Sequence, residues 1–201
     1  MTLEFVHIPK TGGTAITLTY KELQWGNFAD LHKVRERIPY YDLKPAATPC
    51  SYWHNHTLVD TLYKGSKTFC VFRDPIDRIF SEYRHYSLPD DLYTLNTTLQ
   101  QWKIDLEKNP FMLDNHLAPQ HLFAEQCDHV LLFDFLEKEV SDLVQQYGIT
   151  PRKLKKENVS ISHYSVVKNT DVLSPENMGW IRSYYAKDLE WYDRLKKERA
   201  Q

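Results

Sequence analysis

Short apolar runs bounded by turn-forming residues recur along the chain and predict buried β-strands. They cover residues 3–8, 68–72 and 129–134. Each run is followed by segments whose apolar residues recur every three or four positions, which is the spacing of an amphipathic helix. The predicted helices cover residues 14–24, 75–87, 97–108, 111–124, 135–147 and 175–197. This alternation predicts βαβ units, and therefore an α/β fold with a central parallel β-sheet flanked by helices.

Proline and capping residues refine this prediction. Asp74 and Ser174 each stand before a proline and are expected to cap a helix whose first residue is that proline. Three prolines predict an irregular loop over residues 38–50. Residues 151–170 are basic and predict a second loop, which either folds over a ligand or is simply solvated.

Length and charge limit the function classes. A chain of 201 residues suits one ordinary α/β domain and is short for two, so residues 1–201 are predicted to form a single domain. A net charge of −2 argues against a nucleic-acid binder, and any anion site must be built locally. Because the chain has no apolar stretch of the ~18 residues that span a bilayer, no membrane span is expected.

The segment HIPKTGGT, residues 7–14, follows the first strand and places two of the six glycines together. Two glycines let the backbone turn tightly, so that successive N–H groups face one point at the start of a helix. Lys10 adds a full positive charge, and Thr11 and Thr14 add hydroxyl donors. A Gly-Gly turn alone more often only ends a strand. Together with the preceding strand, the lysine and the threonines, it favours an anion site.

The second strand leads into FRDPIDRIFSEY, residues 72–83. Arg73 ends the strand, and residues 76, 79, 80 and 83 form the apolar stripe of the following helix. Because Ser81 lies off this stripe, it and Arg73 could share a phosphate. In isolation, the Arg-Asp-Pro sequence would only indicate a capped helix start.

Together these two segments resemble the cofactor motifs of sulfotransferases that use 3′-phosphoadenosine 5′-phosphosulfate (PAPS). They are most similar to the Golgi carbohydrate branch, which includes heparan sulfate 2-O- and 6-O-sulfotransferases. The resemblance implies a P-loop-like sheet and a 5′-phosphosulfate held by Lys10, Thr11, Gly12, Gly13 and Thr14. It also implies that Arg73 and Ser81 hold the 3′-phosphate. NHLAPQ, residues 115–120, is similar to an acceptor-side segment in which many relatives have arginine where this chain has Ala118.

The segment SYWHNHTLVD, residues 51–60, supplies candidates for the general base. His54 and His56 are two residues apart and share a face if the segment is extended, and imidazole titrates near neutral pH. The segment resembles the His-x-His stretch of the 2-O-sulfotransferases, whose histidine is the base. This favours His56, with His54 as a helper or alternative. The carboxylates to examine as bases or partners are Asp60, Glu82, Asp114 and Asp134.

A metal site is the competing interpretation of the His-x-His pattern. A third ligand is not evident in the sequence, because His116 and His121 are five residues apart and poorly placed for one helical face. No metal is therefore predicted.

The resulting prediction is an enzyme that moves a sulfuryl group from PAPS, its small-molecule nucleotide donor, to a hydroxyl acceptor by in-line attack. The expected acceptor is a sugar or glycan. A small P-loop nucleotide-dependent kinase is the alternative enzyme, although the P-loop pattern GxxxxGK[ST] has its lysine after the glycines. A non-catalytic PAPS-binding module is the third possibility.

The odd number of cysteines, without CxxC spacing, favours free thiols and a reducing compartment. A glycan on the Asn-x-Thr motif at Asn55 would block the His-x-His segment. A cytoplasmic location is therefore expected, or the Golgi lumen if the chain is part of a longer, anchored protein.

Overall fold

A computed structural model describes residues 2–23, 50, 54–86, 91–155 and 173–201. In this part of the chain, β1 (Leu3–Phe5), β2 (Lys67–Phe72) and β3 (His129–Leu132) form a parallel sheet in the order β1-β2-β3. Phe69 of the central strand is paired with Phe5 on one side and with His129 on the other. The predicted α/β fold with a central parallel sheet is confirmed.

Helices follow each strand. They are α1 (Gly13–Thr19), α2 (Val59–Leu62), α3 (Pro75–His85), α4 (Leu92–Lys108), α5 (His121–Ala124), α6 (Leu136–Gln146), α7 (Pro175–Tyr184) and α8 (Ala186–Arg199). Both predicted caps are confirmed: the Asp74 carboxylate accepts two backbone N–H bonds at the start of α3, and the Ser174 hydroxyl accepts one at the start of α7. Helix α4 begins five residues earlier than predicted, because Asp91 caps it.

Two helix predictions are wrong. Residues 111–124 do not form one helix, because Leu113, Asp114 and Asn115 have φ angles of 51°, 55° and 64°. Left-handed backbone cannot continue the hydrogen bonds of a right-handed helix, so a 3₁₀ turn (Met112–Asn115) precedes the short α5. The predicted helix over 175–197 is divided into α7 and α8, which meet at Tyr185.

Two predicted loops fall largely outside the described residues. Of the loop over 38–50 only Cys50 is described, and of the basic segment 151–170 only residues 151–155 are described. The prediction of free thiols is confirmed, since all three cysteines are unpaired.

Alternate residues of β2 enter different hydrophobic cores, because successive side chains of a strand point to opposite faces. Phe69 and Val71 pack with residues of α1 and α6, whereas Cys70 and Phe72 pack with residues of α5 and α8. A further core joins α3 to α4 and α7. The sheet is therefore covered on both faces. In such a fold, functional residues are expected at the edge where the parallel strands end.

Candidate active site

The loop between β1 and α1 has left-handed backbone at Lys10 and Gly12, with φ angles of 67° and 89°. Thr11 lies between them and is fully buried, and its hydroxyl donates to the carbonyl of Ile8 at 2.8 Å. Thr14, in the first turn of α1, is exposed. The Thr11 hydroxyl therefore shapes the loop, whereas Thr14 faces solvent.

Glycine is needed at the two adjacent positions for different reasons. Gly12 has the positive φ that side chains rarely adopt, and a Cβ there would lie 2.9 Å from Cδ2 of Leu136. A Cβ at Gly13 would lie 2.3 Å from Cδ2 of His7, whose ring packs directly on the loop. The glycine pair thus allows both the turn and the close approach of a histidine.

Arg73 connects the end of β2 to this loop. Its Nη1 donates to the carbonyl of Lys10 at 3.1 Å, and its guanidinium lies over the ring of Phe133, 4.4 Å from the centroid. Its backbone is fixed by Gln120, whose side chain bonds both the N–H and the C=O of Arg73 at 2.9 and 2.8 Å. The two sequence motifs therefore meet at the carboxyl edge of the sheet.

Arg78 on α3 is the largest fully buried side chain in the described residues. It donates to three backbone carbonyls, those of Pro9, His116 and Ala118. These bonds hold the Lys10 loop against the segment around residue 116, so both sides of the site are fixed by one side chain.

Positive charge is concentrated at this edge. Burial lowers the pKa of Lys10 and also that of Arg73, while the Glu82 carboxylate acts in the opposite sense on Lys10. Within the described residues, the buried Nε atoms of Arg73 and Arg84 have no hydrogen-bond partner. Ser81, half-buried, precedes Glu82 on α3. The arrangement is suited to an anion, which would supply the missing acceptors.

Three histidines from separate segments pack together beside the loop. Nε2 of His54 lies 3.3 Å from Nδ1 of His7, and the rings of His54 and His116 meet edge to face with centroids 4.7 Å apart. His54 and His116 each have a hydrogen-bonded carboxylate partner. Nδ1 of His54 is 2.8 Å from Oδ2 of Asp114, and Nδ1 of His116 is 2.9 Å from Oε1 of Glu82.

These contacts define the protons on His54. Because the Asp114 carboxylate accepts, Nδ1 of His54 carries a proton, and Nε2 is the accepting nitrogen of the neutral ring. Burial, followed by the neighbouring His116, lowers the pKa of His54 to about 4, although Asp114 acts to raise it. Burial also lowers the pKa of His7 to about 3, and His54 and His116 add to this effect. Both rings are therefore neutral at pH 7.

His56 faces a different environment. Its ring stacks on Phe111, with centroids 5.8 Å apart and planes at 10°, and its Nδ1 accepts from Nδ2 of Asn115 at 3.1 Å. The same amide donates to the backbone carbonyl of His54 at 2.6 Å, which fixes its orientation. Burial lowers the pKa of His56, and its neutral ring carries the proton on Nε2. His54 and His56 do not share a face, because a 3₁₀ turn begins at His56.

The four carboxylates named from the sequence fall into two groups. Asp114 and Glu82 are the partners of the histidine cluster. Asp134 instead accepts from the hydroxyl of Tyr192 at 2.9 Å, and Asp60 is exposed in α2. Only the first pair lies where proton transfer would be useful.

Sequence reasoning missed two members of the cluster, His7 and His116. His7 precedes the glycine loop by only a few residues, and the requirement for glycine at position 13 is the signal that a bulky group lies close. His116 was considered only together with His121. In the structure His121 pairs instead with Asp188, at 2.6 Å, away from the cluster.

Comparison with known proteins assigns the chain to a family. The sequence model described as “Sulfotransferase family” matches residues 2–193, nearly the whole chain. This chain belongs to the sulfotransferase family. Membership supports sulfuryl transfer as the reaction class, with a small-molecule donor and an acceptor. No significant match is found among curated proteins or among solved structures.

Among the described residues, no helix is both long enough and apolar enough to cross a bilayer.

Proposed function

We propose that the protein transfers a sulfuryl group from PAPS to a hydroxyl acceptor, with a sugar or glycan as the acceptor class, and that residues 1–201 act as one catalytic domain. The main support is the hydrogen bond from Arg73 to the carbonyl of Lys10. It joins two motifs that resemble the 5′ and 3′ anion sites of PAPS enzymes. The likeness of these motifs to the carbohydrate branch supports the sugar acceptor.

The donor is assigned to the two motifs. The 5′-phosphosulfate is assigned to Lys10, Thr11, Gly12, Gly13 and Thr14, with the Thr11 hydroxyl shaping the loop. The 3′-phosphate is assigned to Arg73 and Ser81. A phosphate oxygen near Arg73 would satisfy its buried Nε, which is costly to leave unpaired.

The hydrogen bonds favour His54 over His56 as the general base. Nε2 of His54 accepts, and Asp114 orients the ring and stabilises the imidazolium that forms. In His56 the corresponding nitrogen carries the proton, because Asn115 donates to Nδ1. The geometry therefore points to the alternative of the two histidines that the sequence left open.

In the proposed step, the acceptor oxygen attacks sulfur in line with the bond from sulfur to the bridging phosphate oxygen. That bond breaks, and its electron pair leaves with the phosphate of adenosine 3′,5′-bisphosphate. The acceptor proton moves to Nε2 of His54, which gives up its contact with Nδ1 of His7 as the acceptor hydroxyl binds. Lys10 stabilises the negative charge that develops on the departing phosphate.

Nucleotide binding tests the donor. We expect adenosine 3′,5′-bisphosphate to bind more tightly than ATP with Mg²⁺ in calorimetry. Arg73→Ala should weaken the binding of the bisphosphate by roughly 10- to 100-fold, which corresponds to the loss of a charge-assisted hydrogen bond. Arg182→Ala, which removes an exposed side chain of α7, should leave this affinity unchanged. Tighter binding of ATP would favour a kinase instead. Bisphosphate binding without sulfate transfer to any hydroxyl acceptor would favour a binding module.

Transfer kinetics test the base. His54→Ala should lower kcat by about 10²- to 10⁴-fold, the contribution of general base catalysis, and leave nucleotide affinity nearly unchanged. His56→Ala is the matched control, because it removes an imidazole two residues away, and it should retain most of the activity. The reverse pattern would assign the base to His56.

The pH profile is a second measurement of the same assignment. The base must be unprotonated, so activity is lost as the pH falls through the pKa of His54, which is about 4. The acid limb of kcat/KM should therefore lie well below the ordinary histidine value of 6.5. An acid limb near 6.5 would contradict a buried His54 as base.

A further inference from the structure

The histidine cluster also brings together a set of metal-binding groups that the sequence pattern did not indicate. A ring nitrogen of His54, a ring nitrogen of His116 and a carboxylate oxygen of Asp114 lie within 4.8 Å of one another. Two imidazoles and one carboxylate are a frequent donor set for zinc and for ferrous iron. We propose that His54, Asp114 and His116 form a binding site for a divalent transition-metal ion of which Zn²⁺ is representative.

The distances are compatible with one ion. In a tetrahedral zinc site with bonds of about 2.1 Å, the ligand atoms are about 3.4 Å apart. His54 and Asp114 are already closer than this, with Nδ1 and Oδ2 separated by 2.8 Å, because a proton lies between them. An ion would take the place of that proton, which moves to Nε2 of the neutral ring. Rotation of the three side chains would have to bring all three ligand atoms to this spacing, with the fourth position taken by water or a ligand.

Outer contacts support the ligand histidines. Histidines that bind metals usually have a second carboxylate or carbonyl partner, which fixes the ring and raises its basicity. Glu82, almost fully buried, provides that partner for His116, with both carboxylate oxygens within 3.0 Å of Nδ1. On His54, the ring of His7 contacts the nitrogen that does not face Asp114. The two rings are thus held by groups outside the proposed ligand set.

Access to solvent also favours binding. The side chain of Asp114 is 39% exposed, so an ion can reach the site from solvent. The negative charge of Glu82 offsets part of the positive charge of the nearby Lys10.

The consequence for catalysis rests on the proposed function. An ion on Nδ1 of His54 would place the ring proton on Nε2, the nitrogen that is assigned as the base, so Zn²⁺ should inhibit sulfuryl transfer and EDTA should restore it. Binding itself is measured without donor or acceptor. Failure of the metal site and failure of the proposed reaction are therefore distinguishable.

The experiment titrates untagged protein with Zn²⁺ in calorimetry and with Co²⁺ in absorption spectroscopy at neutral pH. We expect one ion per chain at micromolar concentration and the visible d–d bands of nitrogen- and oxygen-bound Co²⁺. His116→Ala and Asp114→Asn should each weaken binding at least tenfold, and Glu82→Gln by about 10- to 100-fold. Mg²⁺, which prefers oxygen ligands, should not compete.

The matched control is His129→Gln, at the start of β3, where the ring bonds the hydroxyl of Tyr147. It should bind Zn²⁺ like the unaltered protein. Thermal melting and circular dichroism identify any variant that fails to fold, and His116→Gln then replaces His116→Ala. Millimolar or weaker binding by the unaltered protein, or equal affinity in folded His116 variants, would overturn the proposal. So would an equal loss in His129→Gln.

Discussion

At the scale of single residues, the conformation of the loop after β1 requires glycine, because a side chain would not fit. Gly13 has no Cβ, and the ring of His7 occupies the space where one would lie. The half-buried His7 contacts His54. A glycine in the motif therefore controls the position of a histidine in the cluster.

Gly13→Ala tests this relation. The added methyl group would lie 2.3 Å from Cδ2 of His7, so either the ring or the loop must move. We expect a loss of about 1–3 kcal/mol in the free energy of unfolding, the usual cost of overpacking, measured by urea denaturation. Gly179→Ala is the control, because no atom lies within 4 Å of its added Cβ in α7, and it should stabilise by up to about 1 kcal/mol. Equal effects of the two variants would contradict the account.

At the scale of elements, the site is assembled by side chains that bind backbone. Arg78 of α3 bonds three carbonyls, and Asp188 of α8 accepts from the backbone N–H groups of Gln120 and His121 at the start of α5. Gln120 in turn fixes the backbone of Arg73. Since loops at a sheet edge have few hydrogen bonds of their own, these contacts define where the loops lie.

Arg78→Leu should be strongly destabilising. It leaves the carbonyls of Pro9, His116 and Ala118 buried without their donor, and one unsatisfied buried group costs about 1–3 kcal/mol. We expect a loss of about 3 kcal/mol or more in urea denaturation, together with lower transfer activity, because the Lys10 loop is no longer held. Arg182→Ala, which truncates an exposed side chain of α7, should change the free energy of unfolding by no more than about 0.5 kcal/mol. A neutral Arg78→Leu would show that the loop is held by other contacts.

At the scale of the whole molecule, buried neutral histidines make stability depend on pH. The pKa of His7 is about 3 in the folded protein, against the ordinary histidine value of 6.5 that applies to the unfolded chain. Between these values the unfolded chain binds more protons than the folded one, so stability is present above pH 6.5 and is lost as the pH falls towards 3. The lowered pKa of His54 acts in the same direction.

His7→Gln tests this dependence. At about pH 5, protonation of His7 in the unfolded chain should remove about 2 kcal/mol from the free energy of unfolding. The variant should therefore lose less stability than the unaltered protein between pH 7.5 and 5, by about that amount. Denaturation at both pH values measures the difference. Parallel losses in the two proteins would show that His7 does not cause the acid sensitivity.

Much of the fold follows from local patterns. The apolar runs at β1, β2 and β3 and the proline-based caps of α3 and α7 were predicted, because strand burial and helix capping depend on residues close in sequence. The turn over Leu113, Asp114 and Asn115 was not. Helical periodicity continues through it, whereas its left-handed backbone is accompanied by contacts to distant histidines.

The sequence by itself determined the central sheet, the glycine loop with Lys10 and the Arg73 motif, since each is encoded within a few consecutive residues. The tertiary structure alone decided that His54, rather than His56, meets His7, and that Asp114 and Glu82 stand behind the cluster. The physical reason is that ring orientation and proton position depend on partners up to 60 residues away, which packing of the sheet and helices brings within hydrogen-bond distance.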